Sequence, residues 1–273
     1  MLRHASKRVL ATLRESDENF VDLAGAVRLH LPGVLVDRND LVPPPARAAG
    51  GPPRNPFSDR NSLVVRTLLA GGPDRSWSIQ SLAAAAGVSL ATTSYVVRAL
   101  AEEGLVETTR GRTGKHVDVL DRDQLIQRWT RFYDWTMNRR LTVAAPVGAP
   151  ARFLRRLEGA LRRQQWALTL QAGASLVAPH AAWDHVHVYL PVATVADLNE
   201  ASARLGWAPD TQGRLTLMAP YYRESVWHDV QKVDGLFVVS TLQLVLDLWH
   251  YPVRGREQAE HLLKLSARDT HRA

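Results

Sequence analysis

The stretch Trp77–Asp121, WSIQSLAAAAGVSLATTSYVVRALAEEGLVETTRGRTGKHVDVLD, reads as two short helices, a tight turn and a basic hairpin, in that order. The first helix runs from about Ser78 to Ala86, with Ile79, Leu82, Ala83 and Ala86 on one face at the three-and-four spacing of a helix. Its small alanines let a second helix approach closely. Gly87 supplies the left-handed residue at which such a helix ends, and Val88 plugs the corner into the core. Ser89 is placed to cap the next helix, predicted from Leu90 to about Glu103, in which Thr93, Val96, Val97 and Leu100 form a buried stripe. That leaves Ala91, Thr92, Ser94, Tyr95 and Arg98 on or near the opposite surface. Short and hydrogen-bonding side chains of this kind suit a helix lying in a groove, where they reach phosphates and base edges and where a long acid would be repelled.

Gly104 ends this second helix. Leu105–Thr109 and Lys115–Val119 then read as two strands around Arg110-Gly111-Arg112-Thr113-Gly114, a tip whose cations and glycines fit close approach to a phosphate backbone. A basic hairpin tip alone is as readily a solvated turn. Behind a recognition-type helix at this distance it completes a winged helix-turn-helix. The predicted DNA-binding residues are Ser89, Ala91, Thr92, Ser94, Tyr95, Arg98, Arg110, Arg112, Thr113 and Lys115.

The chain has 273 residues, too many for one such module, so two or three domains are expected. A net charge of +7 and a pI near 10.1 favour a polyanionic partner, although the arginines are spread along the whole length. There is no cysteine, which excludes disulfides and cysteine-ligated metal centres. The N-terminus lacks the apolar core of a secretory signal, and no stretch approaches about eighteen uninterrupted apolar residues; the expectation is a soluble, cytoplasmic chain with no membrane partner.

Residues 1–54 read as a small β-rich segment and a linker: a helix over Arg3–Leu13, strands over Phe20–Ala24, Ala26–Leu31 and Val34–Asp37, then Pro43-Pro44-Pro45 and Gly50-Gly51-Pro52-Pro53. The winged helix occupies 55–122, opening with a helix over Ser62–Leu69. A connecting segment, 123–144, begins with a helix from Asp123 to Thr136, whose aromatic stripe (Leu125, Trp129, Phe132, Trp135) fits core packing or a dimer seam better than a ligand site. A break at Ala145–Pro150 precedes a C-terminal domain, 151–273, where helices and strands alternate as in a mixed α/β sheet domain. The fold class is therefore α+β.

Gly173-Ala174-Ser175, followed by Asp184-His185-Val186-His187, has the layout of a nucleotidyltransferase motif: a turn for the triphosphate, then carboxylates for magnesium. Magnesium prefers oxygen ligands, and one carboxylate beside two imidazoles does not make a competent site. His180, His185, His187 and Asp184 as a zinc set is the weaker alternative to ordinary packing. No cofactor or metal is implied. Tyr222, Arg223, Arg254 and Arg256 are the candidate contacts for a phosphate-bearing or aromatic small ligand. Asp22 and Asp37, on short strands, are slight pointers to a nuclease-associated subunit.

Val88-Ser89, Thr92, Ser94, Arg98-Ala99-Leu100 and Glu103-Gly104-Leu105-Val106 form a MarR-like winged helix. Together with Val233-Asp234-Gly235-Leu236 and the run LQLVLDLWHYPVRGREQAEHLL, this arrangement resembles the AbiEi-like antitoxins of type IV toxin-antitoxin systems, over roughly Asn55–Leu265. It is also similar to regulators associated with phage defence. The resemblance implies a C-terminal domain like a degenerate nucleotidyltransferase fold, without activity. It further implies a winged helix that binds inverted repeats in its own promoter as a homodimeric repressor, with a cognate toxin as a partner. The residues themselves leave open a regulator that senses a small molecule through its C-terminal domain.

Overall fold

The computed structural model describes residues 12–13, 15–16, 18–21, 27–32, 34–38, 55–72, 75–111, 114–145, 150–180 and 183–270. It divides into two units, Met1–Arg54 and Asn55–Ala273. The first contains the expected meander: β1 (Phe20–Val21), β2 (Val27–Leu31) and β3 (Val34–Arg38) pair antiparallel in sequence order. Most of the helix expected over Arg3–Leu13, the linker residues 39–54 and Asp22 lie outside the described residues.

The second unit opens with α1 (Asp59–Ala70), β4 (Trp77–Ser78), α2 (Ile79–Ala86), α3 (Leu90–Glu102), β5 (Val106–Gly111) and β6 (Gly114–Val119), with sheet order β4-β6-β5. The apolar positions read at helical spacing converge: Val64, Val65 and Leu68 of α1 join Leu82, Ala86, Val96, Val97, Leu100 and Val117 in the core.

The connecting helix is shorter than the sequence predicts. It forms α4 (Arg122–Trp129), after which Asp134 accepts hydrogen bonds from the Thr136 N–H (2.8 Å) and hydroxyl (2.7 Å) and starts a separate 3-10 turn, Trp135–Met137. A carboxylate that caps a new turn competes with continuing the old helix. The chain then enters β7 (Arg139–Val143), a strand the sequence pattern does not announce, at the edge of the C-terminal sheet.

That sheet has the order β11-β12-β8-β9-β10-β7, built from β8 (Ala167–Thr169), β9 (Val186–Tyr189), β10 (Leu215–Ala219), β11 (Gln231–Val233) and β12 (Leu236–Val238). The β9–β10 and β8–β12 pairs are parallel and the others antiparallel, so the expected mixed sheet is present. Its helices are α5 (Pro150–Leu161), α6 (Leu170–Val177), α7 (Val195–Arg204), α8 (Thr241–Trp249) and α9 (Gly255–Thr270). Gly173 and Ser175 sit inside α6, and a Cβ on Gly173 would lie 3.1 Å from the Leu168 backbone. The glycine therefore serves close helix–strand packing and not an open phosphate-holding turn.

The winged helix and the sheet share one core. Asp59, in the first turn of α1, accepts from the Glu224 and Ser225 N–H groups, and the Ser62 hydroxyl donates to that of Ser225 at 2.8 Å. The Trp129 indole donates to the Tyr222 hydroxyl at 3.0 Å, which in turn donates to the Phe57 carbonyl. Deeper still, Arg66 is 2 % exposed; it lies over the Trp129 ring at 5.1 Å and donates to the Gln243 amide oxygen. Gln243 passes a donor to Asp247 at 2.9 Å, and Tyr133, Tyr189 (3.0 Å) and Thr169 also donate to that carboxylate. A buried cation on α1 and a buried anion on α8 are thus bridged by one amide. Burial pushes Asp247 up while its four hydrogen bonds pull it down, and burial likewise lowers Arg66. A guanidinium keeps its charge in either setting.

Candidate nucleic-acid interface

The turn between α2 and α3 is built as the residues predict. Ser78 caps α2 by accepting from the Ser81 N–H at 3.0 Å. Gly87 ends the helix at φ 64°, and the Val88 N–H returns to the Ala83 carbonyl at 3.1 Å. Ser89 then caps α3, accepting from the Thr92 N–H at 3.1 Å. The chain bends by 112° between the two helices, within the range of a helix-turn-helix.

On α3, Ser89, Ala91, Ser94 and Arg98 are exposed, and Ala91, Ser94 and Arg98 follow one another at three and four residues along a single face. No acidic side chain occurs from Ser89 to Ala101, so the positive end of the helix dipole is unopposed there. Thr92 is half-buried, and its hydroxyl lies 2.9 Å from that of Ser89; the pair braces the helix start. Tyr95 is also half-buried and packs against the core, so it stands less free of the helix than the sequence reading places it. Arg98 meets Glu102 at 3.9 Å, an exposed pair too weak to hold the guanidinium from a phosphate. Leu90, 52 % exposed beside Ala91, was missed in the sequence reading; an apolar side chain here can meet a thymine methyl, and its exposure is the signal.

In the hairpin, β5 and β6 pair so that Arg110 stands directly opposite Lys115, both exposed, with Gly111 opposite Gly114 at the tip. Like charges facing each other across a strand pair are unfavourable for the hairpin alone. A polyanion laid across them reverses the sign. Arg112 and Thr113 lie outside the described residues.

The proposed small-ligand residues do not come together as a site. Tyr222 is 1 % exposed, with its hydroxyl fixed between Trp129 and Phe57, so it belongs to the core. Arg223 is exposed. Arg254 pairs with Glu257 at 3.1 Å, and Arg256 pairs with Glu260 at 3.0 Å while covering the Trp249 ring. His180 stacks on His261 and meets Glu257, leaving His185 and His187 to face each other at 4.6 Å without it. Among the described residues no three His, Cys, Asp or Glu side chains converge on a possible metal position. No single described helix is long and apolar enough to cross a membrane.

A capped helix-turn-helix whose exposed second helix carries no acid from Leu90 to Ala101, followed by a cationic wing, defines the class: a winged-helix DNA-binding domain. Residues 65–110 match the IclR helix-turn-helix domain family, a span that runs from the middle of α1 to the wing. This domain supports a DNA-binding transcriptional regulator. No protein of curated function matches the chain.

Proposed function

We propose that the protein is a sequence-specific regulator that binds an inverted-repeat operator in double-stranded DNA as a homodimer. The observation that carries this is the pairing of Arg110 with Lys115 together with an exposed α3 surface, Ala91, Ser94 and Arg98, that carries no acid before Glu102. Two cations opposed across a hairpin gain most when a phosphate backbone lies over them. Ala91, Ser94, Arg98 and the exposed Leu90 then face the major groove, with Ser89 and Thr92 setting the helix start. The likeness of the Asn55–Leu265 sequence to AbiEi-like antitoxins supports an autorepressor of antitoxin type, with a C-terminal domain derived from a nucleotidyltransferase-like fold and acting without catalysis.

Ala91→Glu tests this reading. Ala91 is exposed in the first turn of α3, where an acid is favoured by the helix dipole by about 0.3–1 kcal/mol, so the fold is kept or slightly stabilised. The same carboxylate faces DNA phosphates and base edges. Binding to duplex DNA should fall by at least about tenfold with no drop in melting temperature. A variant that binds DNA as wild type would remove α3 from the interface.

A further inference from the structure

A cavity of about 650 Å³ opens in the C-terminal half, with neither Tyr222 nor Arg223 in its lining, and is large enough for a small organic ligand. Its walls are Trp135, Arg140, Asp184, His185, His187 and Tyr251. The floor follows from strand register: Thr142 on β7, Thr216 on β10 and His187 on β9 are consecutive partners, so their side chains stand in one row on one face of the sheet.

Most of the floor is already satisfied. His185 Nε2 lies 2.7 Å from the Thr216 hydroxyl, which lies 3.0 Å from that of Thr142. His187 is the exception, 5 % exposed with no hydrogen-bond partner for Nδ1. Burial, then the neighbouring His185 and Arg140, hold His187 down to about 3, and burial lowers His185 as well. Both imidazoles are therefore neutral near pH 7 and offer hydrogen bonds without charge.

The charges in the cavity are then two. Arg140 lies over the Trp135 ring at 4.3 Å, and Asp184 lines the same space. Among the described residues neither makes an ion pair, although other exposed cations in this half, such as Arg254 and Arg256, do. Both are near enough to Tyr251 to act on its hydroxyl with opposite sign. A simple anion at this site would gain Arg140 but face Asp184; a simple cation would have the reverse difficulty. A ligand carrying both charges meets both, and Trp135 and Tyr251 supply an aromatic wall for its body.

We propose that this cavity binds a small zwitterion of the aromatic amino-acid or dipeptide class, its carboxylate on Arg140, its ammonium on Asp184 and its ring against Trp135 and Tyr251. The site shares no residue with the DNA-reading surface, so this inference stands or falls apart from that one.

Isothermal titration of the full chain with tryptophan, tyrosine, phenylalanine and their glycyl dipeptides tests it. Indole-3-propionate, which lacks the ammonium, and tryptamine, which lacks the carboxylate, serve as controls with the same ring. The expected result is saturable binding of at least one zwitterion at millimolar concentration or below, with both single-charge analogues at least about tenfold weaker. Arg140→Gln and Asp184→Asn, both at exposed positions, should each weaken the zwitterion by about tenfold while circular dichroism is unchanged. Asp184→Asn should also narrow the gap to indole-3-propionate. Failure of every zwitterion to bind, equal binding of indole-3-propionate or tryptamine by the wild type, or indifference to both substitutions would each overturn the assignment.

Discussion

Replacing Arg110 and Lys115 together by alanine separates what the wing costs the fold from what it contributes on DNA. The two side chains are direct partners across β5 and β6, both exposed, so in the free protein they repel. Such a pair costs roughly 0.2–1 kcal/mol, and its removal should leave the melting temperature unchanged or slightly raised. On DNA the effect has the opposite sign. Each phosphate contact contributes about 0.9 to the slope of log affinity against log salt, so two lost contacts should flatten that slope by about 1.8. Between about 50 and about 200 mM salt, the wild type should then lose about tenfold more affinity than the variant. Fluorescence anisotropy on a labelled duplex across that range measures the slope, and a thermal melt gives the stability. An unchanged salt slope would refute the wing's contact with the backbone, whatever the absolute affinity.

The buried relay between Arg66 and Asp247 should behave as a unit. Arg66→Met strands a carboxylate in the core and should cost about 3–5 kcal/mol in a denaturant melt. Asp247→Leu in turn strands the Tyr133, Tyr189 and Thr169 hydroxyls, so the double variant should lose less than the two single losses added together without returning to wild type. Strictly additive losses would show that the two charges do not interact through Gln243. His187 predicts a pH dependence. Its folded value near 3 lies below the ordinary histidine value of 6.5, so between these limits the unfolded chain binds the proton and stability falls as pH falls. Relative to His187→Gln, the wild type should lose up to about 1.4 kcal/mol per pH unit below about 6.5. Asp247 titrates in both proteins and cancels in the difference. A flat difference across that window would mean His187 is protonated in the folded protein.

What the sequence shows clearly is whatever depends on local chemistry. Gly87 needs a left-handed backbone, Ser89 a helix to cap, and the Arg110–Lys115 tip a hairpin to carry it; all three constraints act within a few residues, and each appears where expected. The capping box of α7, where Thr194 and Asp197 bond reciprocally, is another constraint that acts within a few residues. The edge strand β7 escapes notice because RRLTV is half-exposed with two arginines at its start, a pattern that reads as a loop until β10 is beside it. Tyr222 and Arg223 are neighbours in sequence and opposites in burial. Only the distant Trp129 and Phe57 decide that the tyrosine hydroxyl is internal. The cavity is illegible for the same reason. Arg140, Asp184, Thr216 and Tyr251 come from four separate parts of the chain, and no linear spacing relates them.

An operator-binding regulator requires that this winged helix read a particular DNA sequence. The most direct measurement is an anisotropy titration of the full chain against its own upstream DNA and a scrambled duplex of equal length, at several salt concentrations. Binding to the upstream sequence should be tighter by about a hundredfold or more, with the gap persisting as salt rises. Equal and equally salt-sensitive binding to both duplexes would contradict it, leaving the wing and α3 as a general polyanion contact.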